Sequence, residues 1–134
     1  MKLLSIAIPC YNSEAYMEKC INSLLLGGEE VEILVVDDGS SDRTAQIADE
    51  YAEKYPTIVR ALHQENGGHG AAVNTGLKNA TGLYFKVVDS DDWVNRESYE
   101  KILHTLEELV KGSHTVDLLI SNFVYEKQEL SRKE

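Results

Sequence analysis

Val31-Glu32-Ile33-Leu34-Val35-Val36 is a short apolar run that ends abruptly in Asp37-Asp38-Gly39-Ser40-Ser41-Asp42. A run of this length, β-branched and bounded by turn residues, reads as a buried strand. Ser41 or Asp42 then caps a helix with Ile47, Ala48, Tyr51, Ala52 and Tyr55 on one side, and Pro56 stops it. Strand, acidic turn and helix make one βα unit, and the rest of the chain repeats that unit.

Before it, Leu3 to Cys10 is apolar without polar alternation, which suits a buried parallel strand. Ser13 is expected to cap a helix carrying Met17, Cys20, Ile21, Leu24 and Leu25 as one stripe, ended by Gly27-Gly28. After it, Ile58 to Leu62 reads as a third, shorter strand. Asn66-Gly67-Gly68-His69-Gly70 is a glycine turn opening a small-residue helix from about Ala71 to Ala80. Leu83 to Val88 is a fourth strand. Asn95 caps a fourth helix with Tyr99, Ile102, Leu103, Leu106, Leu109 and Val110, closed by Gly112. Val116 to Tyr125 reads as a fifth strand, and Glu126 to Glu134 as a charged tail. Strands alternating with helices over short connections require right-handed crossovers. The fold class is therefore α/β: a doubly wound, mostly parallel sheet of about five strands with helices on both faces. The 134 residues suffice for a single domain, 1–134.

Thirteen Lys and Arg against 23 Asp and Glu leave a net charge of −10. That balance repels phosphate backbones and anionic lipid surfaces, and it excludes nucleic acid as a partner. A small phosphorylated ligand escapes the objection if a metal ion bridges it to the acidic groups. No apolar run approaches the ~20 residues of a membrane span, so the chain carries no transmembrane segment. Cys10 and Cys20 have no His or Cys at zinc spacing and fall on apolar positions. They read as reduced core thiols of a cytoplasmic protein.

The fourth strand runs into Val87-Val88-Asp89-Ser90-Asp91-Asp92-Trp93. Three carboxylates within four positions repel one another unless a cation sits between them. A Mg²⁺ or Mn²⁺ shared between carboxylates and substrate phosphates is one reason to tolerate this. An acidic turn capping the next helix is the other. In an open parallel sheet, ligands bind outside the carboxyl ends of the strands. Pro9-Cys10-Tyr11-Asn12, Asp37-Asp38-Gly39-Ser40, Gly67 to Gly70 and Asp89 to Asp92 all fall on that edge, which favours the metal.

Ile6-Ala7-Ile8-Pro9-Cys10-Tyr11-Asn12, Val35-Val36-Asp37-Asp38-Gly39-Ser40-Ser41-Asp42, Asn66-Gly67-Gly68, Asn74-Thr75-Gly76 and Asp89-Ser90-Asp91-Asp92 follow one another in order. Together they resemble the family 2 glycosyltransferases of the GT-A fold, over roughly residues 3 to 125. The resemblance implies that Pro9, Tyr11, Asn12 and Asp38 hold the nucleotide base, usually uracil. Asp37 is either part of that site or a turn carboxylate. Asp89-Ser90-Asp91 corresponds to the family's Asp-x-Asp motif, with Asp91 as direct metal ligand, Asp92 second, and Asp89 near the ribose or reaching the metal through water. Gly68 and His69 would face the nucleotide-sugar. The implied chemistry is an inverting displacement on a nucleotide-diphospho-sugar, a UDP-sugar first of all, with Mn²⁺ or Mg²⁺ as cofactor. The acceptor would be a glycan, a lipid-linked sugar or a cell-wall polymer.

Two departures stand out. Family members often carry Arg before the Asn of the third helix, where this chain has Val73 before Asn74. Arg60, His63, His69 and Lys78 are candidates for the missing cation, His69 first, although a loop histidine without a role reads equally well. Family chains also continue past the fifth strand with the acceptor site and the catalytic base. The expectation is a donor-binding domain truncated before the acceptor half, its base beyond Glu134, from a longer protein at the inner face of the membrane. A non-catalytic nucleotide-sugar-binding module is the alternative. A receiver-like phosphate-accepting domain fits poorly, because Pro-Cys-Tyr-Asn and His63-Gln64 occupy its acidic-pair and phospho-acceptor places. Trp93 lines the sugar side of the pocket or packs over the sheet end. An unpaired edge beside the last two strands would favour a homo-oligomer, with Leu118, Ile120, Phe123 and Tyr125 near the contact.

Overall fold

Leu4–Cys10 (β1) is buried at every position, and each of its residues has a partner on Val31–Asp38 (β2), from Leu4 opposite Val31 to Cys10 opposite Asp37. A strand flanked on both sides and covered on both faces has no solvent face to pattern, which is why its sequence shows no polar alternation. The computed structural model describes residues 2–112. Within them a four-stranded sheet runs in the order β3-β2-β1-β4, with β3 spanning Val59–Gln64 and β4 Tyr84–Val87, every pair parallel. The doubly wound expectation holds. The expected fifth strand, the tail and the association edge at Leu118 to Tyr125 lie outside the described residues.

The helices are Met17–Leu25 (α1), Thr44–Lys54 (α2), His69–Asn79 (α3) and Arg96–Gly112 (α4). One apolar cluster joins Ile6, Ile8, Cys10, Ile33 and Val35 of the sheet to Met17, Cys20, Ile21 and Leu24 of α1, Ile47 and Ala48 of α2, and Tyr99, Leu103 and Leu106 of α4. The alternate residues of the strands face α3, where a Cβ on Gly76 would stand 2.6 Å from the Cβ of Ala7. Helix α3 therefore lies closer to the sheet than a side chain at position 76 permits. Among the described residues, no helix is long and apolar enough to cross a membrane.

The chain winds outward from β1 to β2 to β3, then crosses behind the sheet through α3 to lay β4 on the other side of β1. The strand order reverses between β1 and β4, and that is where a doubly wound sheet opens a crevice. Pro9 widens it. Val88 N–H donates to Ala7 C=O across β1 and β4 (2.9 Å), so the next donor toward β4 belongs to residue 9. Proline has no N–H to give, and the β1–β4 pairing stops at Ala7 opposite Val87.

Several boundaries differ from the sequence expectation. Strand β3 extends to Gln64 and α3 begins at His69, because both borders are fixed by bonds to the distant Asp38 described below. Asn95 caps α4 as expected, its Oδ1 accepting from Ser98 N–H (2.9 Å). Asp42 Oδ1 accepts from Thr44 N–H (2.9 Å) at the start of α2. Ser13 does not cap α1 with its side chain. The helix starts at Met17, and the Ser13 hydroxyl turns inward to Ser90 instead (2.8 Å).

Candidate functional site

The loops that follow β1, β2, β3 and β4 meet at the carboxyl edge of the sheet around a cleft of about 460 Å³. Pro9, Tyr11, Asp38, Gly68, His69, Asp89 and Asp91 line it, together with Cys10, Ser13, Tyr16, Asn66, Ala72 and Ser90. A volume of this order is ordinary for a small-molecule site. A larger hollow, about 770 Å³, runs along α4, with walls from Asn95 to Thr105 only. The cleft is the better candidate because it gathers polar groups from four separate loops.

Tyr11 forms one wall and is half exposed. Its backbone is fixed, since Tyr11 N–H donates to Ser13 Oγ (3.2 Å). The same hydroxyl pairs with Ser90 Oγ (2.8 Å), and Ser13 N–H donates to Thr44 Oγ1 (2.7 Å). Three loops are thus tied through one buried serine. Asn12, expected at the nucleotide, is not among the cleft's lining residues. It adopts a left-handed backbone (φ 49°), a conformation asparagine tolerates better than most residues. Its Oδ1 accepts from Ser41 N–H (2.8 Å), joining the loops after β1 and β2.

Asp38 lines the cleft, but its carboxylate is already engaged. Oδ1 accepts from Gln64 Nε2 (2.8 Å) and Gly67 N–H (2.8 Å); Oδ2 accepts from Asn66 Nδ2 (3.1 Å) and Gly68 N–H (2.9 Å). Four donors fill the acceptor capacity of a carboxylate. Burial pushes this carboxyl up, but the bonds from Gly67, Gln64 and Gly68 outweigh it and hold the pKa below its ordinary value. The expected bond from a base N–H would have to displace one of these donors. Asp38 instead shapes the glycine loop, which presses so close that a Cβ on Gly39 (φ 70°) would stand 2.6 Å from Asn66 N. Asp37 is a turn carboxylate: it accepts from Ser40 N–H (3.0 Å) and pairs with His63 Nδ1 (3.0 Å) on the α2 side.

Across the crevice, Asp89, Asp91 and Asp92 each offer a carboxylate oxygen, and these atoms lie within 4.8 Å of one another. Asp92 is buried and stands behind the cleft wall, whereas Asp89 and Asp91 line it. An all-oxygen donor set of this kind suits a hard divalent ion such as Mg²⁺ or Mn²⁺, so the residues present fit the expected metal. His69 Nε2 faces Asp89 Oδ1 at 3.4 Å from the opposite lip. Cys10 is no nucleophile: burial, reinforced by Asp37, pushes its thiol up to about 12. Both cysteines are buried free thiols.

The other cations nominated from the sequence lie elsewhere. Arg60 bonds Glu32 (3.2 Å) and Asn79 C=O (2.8 Å) at the opposite edge of the sheet. His63 sits between Asp37 and Asp49. Lys78 is in the last turn of α3, away from the end that borders the cleft. Sequence reasoning missed Ser13, Tyr16 and Ser90. An aromatic just ahead of α1 was a signal for Tyr16; Ser13 read as a helix cap and Ser90 as the spacer between two carboxylates, and no local pattern pairs them across the cleft.

The family described as Glycosyl transferase family 2 matches residues 5–126 of this chain. A glycosyltransferase of Bacillus subtilis, EpsJ, is 42% identical over 107 residues, covering 79% of this chain and 31% of that protein. The poly(ribitol-phosphate) beta-N-acetylglucosaminyltransferase TarS of Staphylococcus aureus is 37% identical over 123 residues, covering 90% of this chain and 21% of that protein. The crystal structure of S. aureus TarS 1–349 in complex with UDP-GlcNAc matches with a TM-score of 0.70 at 37% identity, over 81% of this chain and 32% of that one. The chain spans about a third or less of the length of these relatives.

Proposed function

The chain belongs to glycosyl transferase family 2, and from that premise we propose that it is the donor-binding part of a transferase using a nucleotide-diphospho-sugar, specifically a UDP-sugar. The observation that carries this reading is the single cleft with an aromatic wall at Tyr11 and a carboxylate cluster at Asp89 and Asp91 on its other side. Such a cleft offers a stacking surface to a base and an oxygen-ligand site to a diphosphate's counter-ion. That TarS has been crystallised with UDP-GlcNAc supports a uridine nucleotide over other donors. The acceptor is proposed as a glycan, lipid-linked or cell-wall hydroxyl. It attacks the anomeric carbon of the donor sugar as a carboxylate base outside residues 2–112 takes its proton and the nucleoside diphosphate leaves, inverting that centre in one displacement.

In this reading Tyr11 stacks on the base, and Asp38 keeps Gly67 and Gly68 in place beneath the nucleotide without itself reading it. Asp91 and Asp92, with Asp89, would hold the metal. Mn²⁺ or Mg²⁺ held there would supply Lewis-acid stabilisation of the negative charge on the departing nucleoside diphosphate. The N-terminal end of α3, bordered by Gly68 and His69, directs backbone N–H groups toward the same region, which favours an anion there.

Calorimetric titration of UDP and GDP with and without Mn²⁺, on wild type and Asp91→Ala, tests the reading. Metal-dependent UDP binding that Asp91→Ala abolishes is expected. Absence of binding by either nucleotide would remove the proposal.

A further inference from the structure

Beside the cleft is a second hollow of about 360 Å³, lined by Ala15, Tyr16, Lys19, Asp91 and Trp93. It shares Tyr16 and Asp91 with the cleft, so a ligand reaching past Asp91 enters it. Lys19 Nζ lies 3.6 Å from the centroid of the Trp93 ring. The aromatic face attracts the ammonium and confines a side chain that would otherwise sample many rotamers.

The donor reading creates a charge problem that this arrangement answers. A nucleoside diphosphate adds negative charge to a rim already carrying Asp89, Asp91 and Asp92, and one divalent ion offsets only part of the total. Arg60, His63 and Lys78 are committed or distant, as described above, and His69 faces Asp89. Among the described residues, no other lysine or arginine lines the cleft or the hollow.

We propose that Lys19, held over the Trp93 ring, is a phosphate ligand of this site. Its ammonium receives the β-phosphate of a nucleoside diphosphate, and the hollow between Tyr16 and Trp93 accommodates that end of the donor. The proposal rests on the donor-site reading and extends it to residues of α1 and of the turn after β4. Trp93 then positions Lys19 and does not itself bind the base.

Trp93 is the chain's sole tryptophan, so its emission reports on the hollow directly. UDP and UMP are titrated in the presence of Mn²⁺ into the full chain as wild type, Lys19→Met and Lys19→Arg, by calorimetry and by tryptophan fluorescence. Saturating UDP should alter Trp93 emission in wild type, and UMP should alter it little. Lys19→Met should raise the UDP dissociation constant about tenfold while leaving UMP within about twofold, and Lys19→Arg should restore most of the loss. If wild type binds both nucleotides but Lys19→Met weakens them equally or not at all, the Lys19 assignment is wrong and the donor site stands. If Trp93 emission is indifferent to UDP that calorimetry shows to be bound, the assignment is equally wrong. If wild type binds neither nucleotide, both readings fall.

Discussion

Glu32 and Asp38 stand on the same face of β2, one near each end, and each carboxylate accepts four hydrogen bonds. Those of Asp38 come from Gln64, Asn66, Gly67 and Gly68, immediately before α3. Those of Glu32 come from Ser5 Oγ (2.7 Å), Arg60 (3.2 Å), Thr81 N–H (2.8 Å) and Thr81 Oγ1 (3.0 Å), the last two just after α3. Helix α3 contains Gly70 and Gly76, which cost helix stability relative to alanine. Two carboxylates of one strand hold it at both ends.

The two clamps should be separable by experiment. Glu32→Gln and Asp38→Asn should each cost about 2–3 kcal/mol in urea unfolding at pH 7, because each leaves buried donors badly matched. Only Asp38→Asn should also weaken UDP, since only its loop borders the cleft. Burial pushes both carboxyls up, yet hydrogen bonds, Thr81 and Ser5 for Glu32 and Gly67 and Gln64 for Asp38, hold both below the ordinary carboxylate value. A lowered pKa stabilises above the unfolded value, about 4, and that stability is lost as pH falls through the folded one. The gap between wild type and either variant should therefore close in acid.

His63 should act in the opposite direction. Its hydrogen bond to Asp37 raises its pKa, assisted by Asp49 and opposed by burial. A raised pKa stabilises fully below the unfolded value, about 6.5, and the contribution disappears as pH rises through the folded one. Urea midpoints of wild type and His63→Gln should converge as pH is raised above about 6.5. Parallel curves across that range would show the pair to be screened by solvent.

The parallel sheet and its alternation with helices were legible because buried parallel strands announce themselves as apolar runs and each ends in polar residues on one edge; the strand order in the sheet was not. That Tyr11 and the carboxylates after β4 would meet at one edge was legible for the same reason. The tasks of Asp38 and Asn12 were not. Both are polar residues at the edge expected of ligand groups, and the intramolecular partners that hold them lie in distant loops that no local pattern identifies. Lys19 was overlooked because a charge on the outer side of an amphipathic helix reads as solvated, and the ring that holds it comes from the turn after β4.

Gly76→Ala should destabilise although alanine is the better helix former by about 1 kcal/mol. The added Cβ would stand 2.6 Å from Ala7 Cβ, a contact neither backbone can relieve without shifting α3 from the sheet. A net loss of about 1–3 kcal/mol is expected from overpacking. Adding Ala7→Gly should recover part of it, which denaturant titration of the double variant would reveal as non-additivity.

The Ser13–Ser90 bond spans the switch point and couples the Tyr11 loop to the acidic turn. Ser90→Ala should cost about 1 kcal/mol of stability and raise the UDP dissociation constant without changing which metal supports binding. A variant with wild-type affinity would show that the two sides of the cleft are set independently.

Tyr11 gives the sharpest test of how the nucleotide is held. With the Asp38 carboxylate engaged by four donors of its own chain, the aromatic ring is left as the main surface offered to the base. Its backbone is fixed by Ser13, so little ordering is needed on binding. Base stacking on an aromatic side chain is worth about 1–3 kcal/mol by alanine substitution, or roughly 5- to 150-fold in affinity. Tyr11→Phe should therefore bind UDP nearly as wild type, and Tyr11→Ala should fall within that range. Stacking discriminates weakly between bases, so GDP should lose affinity in the same proportion. If Tyr11→Ala weakened UDP alone, the tyrosine would be reading the edge of uracil, and Asp38 would have to yield a bond to help it.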